Sequence, residues 1–470
     1  MRLIYKNVTL SVLIIFLIAG CSDNRTVLER IKDSGKLRFV TVVDPTSYIP
    51  NSGENIGFEY DLARQFADHI GVDLKMIAAS LSHQVISMVT QGKAHVGAAA
   101  IVSNYPIDSL QFSPAYNETK QQVIYRYGNW QPMSIDDIRV GDLNIEFNKQ
   151  QIQLMKDLET KHPQFSWVEH TDKNINTLLG LVQGQAMVAT VANETMVNVY
   201  RHIYPNIRAA FDITDLQSQV WAYKKYDDDS LSNAISEFFT DIRNNGELEK
   251  LLELHFGHFR SFDYVDIRTY LDRIKNRLPE FEMQFKKVAK KHHMDWKLLA
   301  AMSYQESHWS PTARSPTGVR GLMMLTLDTA RQMNINNRLD AEQSINGGAR
   351  YFKKVYKQIP ERIEEPDRKW FALAAYNIGY AHLEDARILT QMQGGNPDIW
   401  VDVRERLPLL SQKKWYDKTR NGKARGKEPV IYVRNIRRYT DILRWVNYLE
   451  NKPKQKAEWL RIFSIDSPVL

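Results

Sequence analysis

The hydrophobic pattern of this chain changes period once, near residues 256–262, and one layered architecture cannot accommodate the stretches on both sides of that point. Upstream, short apolar runs alternate with stripes at helical spacing. Residues 37–43 read as a strand; Phe58, Leu62, Phe66 and Ile70 then recur every four residues on one helical face, with Gly71 placed to cap it. Strands over 72–78 and 95–102 flank a helix over 81–91 that stops at Gly92. The segments 174–183, 186–191, 193–200 and 219–223 continue the alternation, and 230–245 is a closing helix. This predicts an α/β domain with a mostly parallel sheet. Downstream the strand signals fade. Helices are expected over 270–292, 296–309, 326–333, 348–359, 369–377 and 433–450, punctuated by Pro311, Pro316, Gly318, Gly321, Pro360 and Pro366. At 470 residues the chain has room for about two to four domains, and an all-α domain of about 190 residues fits behind the α/β one.

Composition removes several other classes. With 43% hydrophobic and 25% charged residues the chain is neither disordered nor polytopic in a membrane. Its single cysteine, Cys21, excludes an intramolecular disulfide and any cysteine-based metal cluster. A net charge of +7 spread over this length is too mild to call for nucleic acid. Arg2 and Lys6 precede an apolar run over 12–19 that is shorter than the roughly 20 residues of a spanning helix. The run ends in Leu17-Ile18-Ala19-Gly20-Cys21, which resembles a bacterial lipoprotein signal. That resemblance implies cleavage before Cys21 and acylation of its thiol and new amine, several chains together making a lasting anchor. Ser22 in the next position is similar to lipoproteins sorted to the outer membrane. A plain signal peptide with an idle Cys21 is the alternative. Either way the chemistry is expected in the periplasm, at the outer membrane in the first case.

The sharpest chemical signal lies on the helix expected over 296–309. Leu299, Met302, Glu306 and Trp309 are three, four and three residues apart and share one face. That face otherwise reads as core, yet a carboxylate sits in its middle. Burial disfavours the charged form of an acid and raises its pKa, giving the protonated state that a general acid needs. The same spacing fits a Glu306 at the edge of the stripe, ion-paired or solvated. Pro311 stops the helix, and 315–326 reads as a loop whose Gly318 and Gly321 allow close approach of a ligand to backbone. A sugar cleft uses such residues, and so does a tight structural turn.

Four ordered motifs carry a resemblance. Gln305-Glu306-Ser307, Arg320-Gly321-Leu322-Met323-Met324, Gly347-Gly348-Ala349-Arg350-Tyr351 and Ala374-Ala375-Tyr376-Asn377 follow one another along the chain. Together they resemble the catalytic domain of the family 1 lytic transglycosylases, related to goose-type lysozyme, over about residues 264–450. The upstream α/β domain and the stretches 407–410 and 428–433 are similar to one membrane-bound branch of that family. The resemblance implies an all-α lysozyme-like fold that cuts the β-1,4 bond between N-acetylmuramic acid and N-acetylglucosamine in peptidoglycan. No water is added; the muramyl 6-hydroxyl closes on its own anomeric carbon and leaves a 1,6-anhydro end. Ordinary glycosidases need a second carboxylate as nucleophile or to activate water, a demand that an internal nucleophile relaxes. Carried over by motif, Glu306 is the acid and then the base. Ser307 would orient or support the site, and Ser315 would contact the sugar or its acetamido group. Met323 and Met324 belong to the cleft loop, with Met324 where many relatives have Gln. Tyr376 and Asn377 would line the cleft, and Tyr432 matches a tyrosine near the scissile bond. Packing alone would also account for Tyr376 and Tyr432, and ordinary helix-end and loop roles for Ser307 and Ser315.

The front half carries a second resemblance. Gly57-Phe58-Glu59-Tyr60-Asp61-Leu62-Ala63, followed by Phe112-Ser113-Pro114-Ala115-Tyr116, resembles the family 3 periplasmic solute-binding proteins, over about residues 27–257. That implies a two-lobed α/β domain of the kind that binds amino acids between its lobes. Such binders usually place an Arg shortly before the Phe-Ser motif to clamp the ligand carboxylate, and 103–110 contains none. The acid that would hold the ligand amine falls near Ala192. The fold is therefore expected without amino-acid binding; a muropeptide or other small ligand, or a spacer from the membrane, are both open readings.

The expected organisation is a signal peptide over 1–20, a lipidated linker over 21–26, the solute-binding-like domain over 27–257, a linker over 258–263, the transglycosylase-like domain over 264–450 and a tail over 451–470 with a short helix at 457–463. The expected partners are peptidoglycan glycan strands and the outer membrane, with no nucleic acid. No cofactor is expected, and His292, His293 and His308 form no metal-binding spacing. The basic stretch 413–427, which interleaves Trp415 and Tyr416, could meet anionic glycan or peptide stems, or stand as a solvated loop. A muramidase hydrolysing the same bond and a non-catalytic binding or sensor lipoprotein are the alternative functions.

Overall fold

The structure, a computed structural model, describes residues 25–50, 55–98, 102 and 107–452. The signal segment with Cys21 and the tail helix expected at 457–463 lie outside the described residues. The front domain has two lobes, each built on a five-stranded sheet. In the first, Lys36–Val42 pairs parallel with Asp73–Ala79 and Val96–Ala98, while Ala222–Lys224 runs antiparallel between Val96–Ala98 and Leu110–Phe112. In the second, Ala189–Asn193 is antiparallel to Gln121–Arg126 and parallel to Leu143–Glu146, with Ile207–Asp212 and Val168–His170 on the edges. Four strands of each sheet run one way and one runs against them, so the sheets are mostly parallel, as expected, with a single reversed strand apiece. The cause is the path of the chain. It crosses to the second lobe and back through two adjacent connectors, Asn117–Thr119 and Gln217–Gln219, which pair antiparallel. Each lobe then contains a strand laid against the direction of its neighbours.

Local chemistry accounts for most boundaries. Phe58, Leu62, Phe66 and Ile70 are all buried, and Gly71 ends their helix in the left-handed conformation at φ +76°. Asn174 and Asn193 stand just outside their helices as caps, their side chains accepting from the amides of Thr177 and Met196. The strand expected over 219–223 is interrupted at Trp221, whose indole turns inward and donates to Glu59 Oε2 at 3.0 Å.

The rear domain is helical. The helix expected over 270–292 is two, Tyr264–Asn276 and Glu282–His292, because Pro279 forces a 3₁₀ turn between them. The helix expected from 348 begins at Ala341 and takes in two glycines. A Cβ on Gly348 would lie 2.5 Å from Met323 Cε and one on Gly347 2.7 Å from Leu325 Cδ1, so close packing outweighs the poor helix propensity of glycine. Tyr380–Met392 and Trp400–Arg406 were not legible from spacing. The last helix, Lys427–Glu450, starts six residues ahead of its expected position and runs through the core of the domain.

This helix also meets the front domain. Arg437 Nη2 donates to the carbonyls of Glu253 and Leu254 at 2.7 and 3.1 Å, while its guanidinium lies 4.0 Å over the Trp370 ring. The Glu253 carboxylate takes Arg404 at 2.5 Å and Arg437 at 3.5 Å. His258 Nε2 is 2.8 Å from Asp441 Oδ2. Tyr200, Ile203 and Tyr204 of the second lobe share one apolar cluster with the rear domain. Glu253→Ala should therefore strip buried Arg437 of one of its two neighbouring carboxylates, leaving Asp441, and Arg404 of its partner, and cost about 3 kcal/mol in chemical denaturation, whereas Arg25→Ala, at an exposed ion pair, should cost at most about 0.5 kcal/mol.

Candidate active site

Asp295 caps the helix Trp296–Ser307 by accepting from the Lys297 amide, and every residue from 297 to 304 is buried. The expected one-sided stripe is therefore not what the helix presents. It runs between the helices Glu282–His292 and Lys427–Glu450 and has no solvent face until its last turn. Trp309 is not on it. His308 and Trp309 adopt φ +51° and +57°, which ends the helix, and Trp309 folds back to donate from Nε1 to the Ala300 carbonyl at 2.8 Å. Only Gln305, Glu306 and Ser307 emerge, as the end of a buried rod.

Glu306 is partly exposed at that end. Burial pushes its pKa from 4.5 up to about 7, and a hydrogen bond from Tyr432 pulls the other way. Tyr432 Oη donates to Glu306 Oε1 at 2.7 Å. The Tyr432 ring stacks on Tyr376, with centroids 6.3 Å apart and planes 15° from parallel, and Tyr351 meets Tyr376 edge-on at 5.2 Å. Three residues far apart in sequence, Glu306, Tyr376 and Tyr432, thus come together. Asn377 stands exposed beside Tyr376 near the end of the helix Asp367–Ile378.

The other expected residues serve the loop that faces this group. Ser307 Oγ donates to the Leu322 carbonyl at 2.9 Å and accepts from the Ser310 amide at 3.2 Å, tying the helix end to the loop. Ser315 Oγ accepts from the Val319 amide at 3.2 Å and pairs with Thr317 Oγ1 at 2.9 Å inside a tight turn. Gly321 has φ +82°, and a Cβ there would lie 1.8 Å from the Arg338 carbonyl oxygen, so only glycine lets the loop pass. Met323 is buried against Gly348, with its amide on Ser344 Oγ at 3.1 Å; Met324, at φ +43°, is partly exposed. Two contributors escaped the sequence reading. Tyr351 lay inside a quoted motif but was not singled out. Asn435, which donates to Gln305 Oε1 at 3.0 Å, is one helical turn from Tyr432, a spacing hidden while the helix was expected to begin at 433.

A second concavity lies between the lobes of the front domain, with Asp44, Glu146, Asn174, Tyr200 and Gln217 in its lining. Glu146 accepts from the Ser82 amide of one lobe at 2.7 Å and from the Ile175 amide of the other at 3.0 Å. Tyr200 Oη and Gln217 Oε1 are buried without a hydrogen-bond partner. Ala192 is in the wall where an acid was missing, and among the described residues no lysine or arginine lines the cavity. Elsewhere on this domain His69, Glu237 and Asp241 bring three possible metal ligands within 4.8 Å on an exposed surface, a common arrangement without an ion.

Comparison with known proteins agrees with both halves. Residues 283–398 match the transglycosylase SLT domain, and residues 37–258 match the bacterial extracellular solute-binding proteins, family 3. The chain is 42% identical over 432 residues to the membrane-bound lytic murein transglycosylase F of Saccharophagus degradans, covering 92% of this chain and 86% of that one. To the protein of the same name from Salmonella typhi it is 43% identical over 445 residues, covering 94% and 92%. Among solved structures, the amino acid ABC transporter substrate-binding protein AbpA from Streptococcus pneumoniae is 22% identical and covers 50% of this chain and 100% of that one, with a TM-score of 0.44.

The raised pKa has a consequence for stability. A carboxyl whose folded pKa is near 7 against an ordinary 4.5 contributes stability that is complete below the lower value and lost as pH rises through the upper one. Glu306→Gln keeps the neutral shape, so its gain in unfolding free energy over the wild type should grow between pH 4.5 and about 7 and level off above. Tyr432→Phe, by removing the bond that favours the carboxylate, should move the Glu306 titration to higher pH, read by infrared or NMR titration against Glu306→Gln.

Proposed function

The chain belongs to the membrane-bound lytic murein transglycosylase F family, and from that premise we propose which residues carry the reaction. The family's activity is that of a lyase on peptidoglycan, and this chain is a periplasmic, membrane-associated lytic transglycosylase. Glu306 is its acid and base. The observation that carries this is a lone carboxyl, neutral over the lower half of its range near pH 7, with one oxygen held by Tyr432. Oε2 is left for substrate. Its proton passes to the glycosidic oxygen as the bond from the muramyl anomeric carbon breaks, and N-acetylglucosamine leaves as the alcohol. The carboxylate so formed takes the proton of the muramyl 6-hydroxyl while that oxygen bonds the anomeric carbon. Burial and the Tyr432 bond are the two causes of the Glu306 shift, and no second charge is among them. That suits a mechanism in which substrate supplies the nucleophile that a second carboxylate supplies elsewhere.

Tyr376 and Tyr432 form an aromatic wall beside the reacting carbon, and Asn377 and Met324 contact the sugars. Ser307, Ser315 and Met323 act as positioning residues for the cleft loop. We further propose that Cys21 carries the lipid anchor that holds the chain to the outer membrane. The domain limits are 27–257 and 264–450, with 258–263 between them. The interlobe cavity takes a small polar ligand such as a muropeptide. The partnerless Tyr200 Oη and Gln217 Oε1 support this, because buried polar atoms rarely go unpaired.

Mass spectrometry of sacculi digested by the full chain should find muropeptides about 18 Da lighter than hydrolytic ones, one water short of two-carboxylate hydrolysis. Glu306→Gln should release none while folding normally; undiminished cutting by that variant would remove Glu306 from the role. The initial rate should fall as pH rises through about 7, where Glu306 loses its proton. Water-added products would identify a muramidase instead.

A further inference from the structure

The basic stretch 413–427 is not used by the cleavage step, and the fold gives it a definite shape. Lys413, Lys414, Lys418, Arg420, Lys423, Arg425 and Lys427 are all exposed, against a single exposed acid, Asp417, in the same stretch. Among the described residues the one ion pair these cations make is Arg425 with Glu428, at 3.3 Å. The segment is held from beneath. The fully buried Asp385 accepts from the amides of Arg420 and Asn421, both at 3.2 Å, and from Asn421 Nδ2 at 3.0 Å. The Ala424 amide donates to the Leu410 carbonyl at 3.0 Å, and Gly426 passes so close to Leu407 that a Cβ would lie 1.6 Å from its carbonyl oxygen. Two like charges also converge: the ammonium groups of Lys414 and Lys418 lie 5.1 and 5.0 Å from the centroid of one half-buried indole, Trp415.

The two elements that clamp the stretch also lead to the cleft. Asp385 is on the helix Tyr380–Met392, which follows the helix of Tyr376 and Asn377 after a single glycine. Lys427 opens the helix that carries Tyr432, five residues on and so about 7.5 Å along the axis. We propose that this rigid cationic loop is a binding surface for the carboxylates of peptidoglycan stem peptides, and that it makes the enzyme select peptide-bearing glycan. The inference rests on the transglycosylase reading above. Stems branch from the muramyl unit whose bond is cut, and two or three extended residues at roughly 3.3–3.6 Å each span the distance from Tyr432 to the loop. A membrane surface fits less well. Binding there draws on buried apolar area, and none of the large apolar side chains between 413 and 427 is exposed.

The test compares native sacculi with the same sacculi after their carboxylates have been amidated, counting anhydro products released by the full chain. The wild type should need about tenfold more amidated than native material for half-maximal rate, at an unchanged maximal rate, as expected for losing a few screened ion pairs. Lys414→Gln/Lys418→Gln/Lys423→Gln should need about tenfold more native material and no longer distinguish the two, and Lys→Glu at the same positions should invert the preference in favour of amidated material. A triple variant that half-saturates on native sacculi like the wild type, or a wild type indifferent to amidation, would overturn the proposal. So would a variant unchanged on sacculi that loses binding to vesicles of anionic phospholipid, which would assign the loop to the membrane. Glu306→Gln, run alongside, separates this outcome from a failure of the catalytic assignment: continued cutting by it indicts the acid and not the loop.

Discussion

The desolvation of Glu306 is the constraint on which the rest of the site depends. An acid becomes a useful proton donor near neutrality only if its charged form is kept unfavourable, and here the cause is burial at the end of a helix with no solvent face. The helices on either side, the loop tied down through Ser307 and Leu322, and the stacked Tyr376 and Tyr432 all serve to keep water from one carboxyl. Tyr432 moderates the effect. By donating to Oε1 it favours the carboxylate and pulls the pKa back from where burial alone would put it.

One helix connects that balance to the rest of the molecule. Lys427–Glu450 presents Tyr432 to Glu306, Asn435 to Gln305, and Arg437 and Asp441 to the end of the front domain. Buried charges of this kind are costly unless paired, so the helix has little freedom to rotate or slide without stranding Arg437 against Trp370 and Glu253. The same rigidity reaches the basic loop ahead of it, which ends where the helix begins.

The front domain has a solute-binding-like fold with its own chemistry in the cleft. Among the described residues the interlobe cavity has no lysine or arginine in its lining and contains, beside Asp44, the carboxylate of Glu146. That side chain sits at the first amides of two helices from opposite lobes, Ser82–Thr90 and Ile175–Gln183. Helix N-termini attract negative charge, so an internal acid satisfies both and joins the lobes.

How much of this could be read from the residues alone follows from the range of the interactions. The two-domain plan, the Phe58–Ile70 face, the segment starts at Asn174 and Asn193 and an acid on an otherwise apolar helix were legible, because periodicity and ordered motifs are local patterns. The one reversed strand in each sheet was not, since it depends on the chain crossing twice between lobes. Nor were the helix across Gly347 and Gly348 or the folding back of Trp309, which are decided by Met323, Leu325 and the Ala300 carbonyl, partners far along the chain or around a turn. By itself the sequence determined that an acid lies on an otherwise apolar helix, within motifs that resemble a lysozyme-like domain. Only the tertiary structure decided that a tyrosine 126 residues away would hold that acid, and that the acid would be dry enough to keep its proton, because desolvation is a property of everything packed around a group and not of its neighbours in the chain.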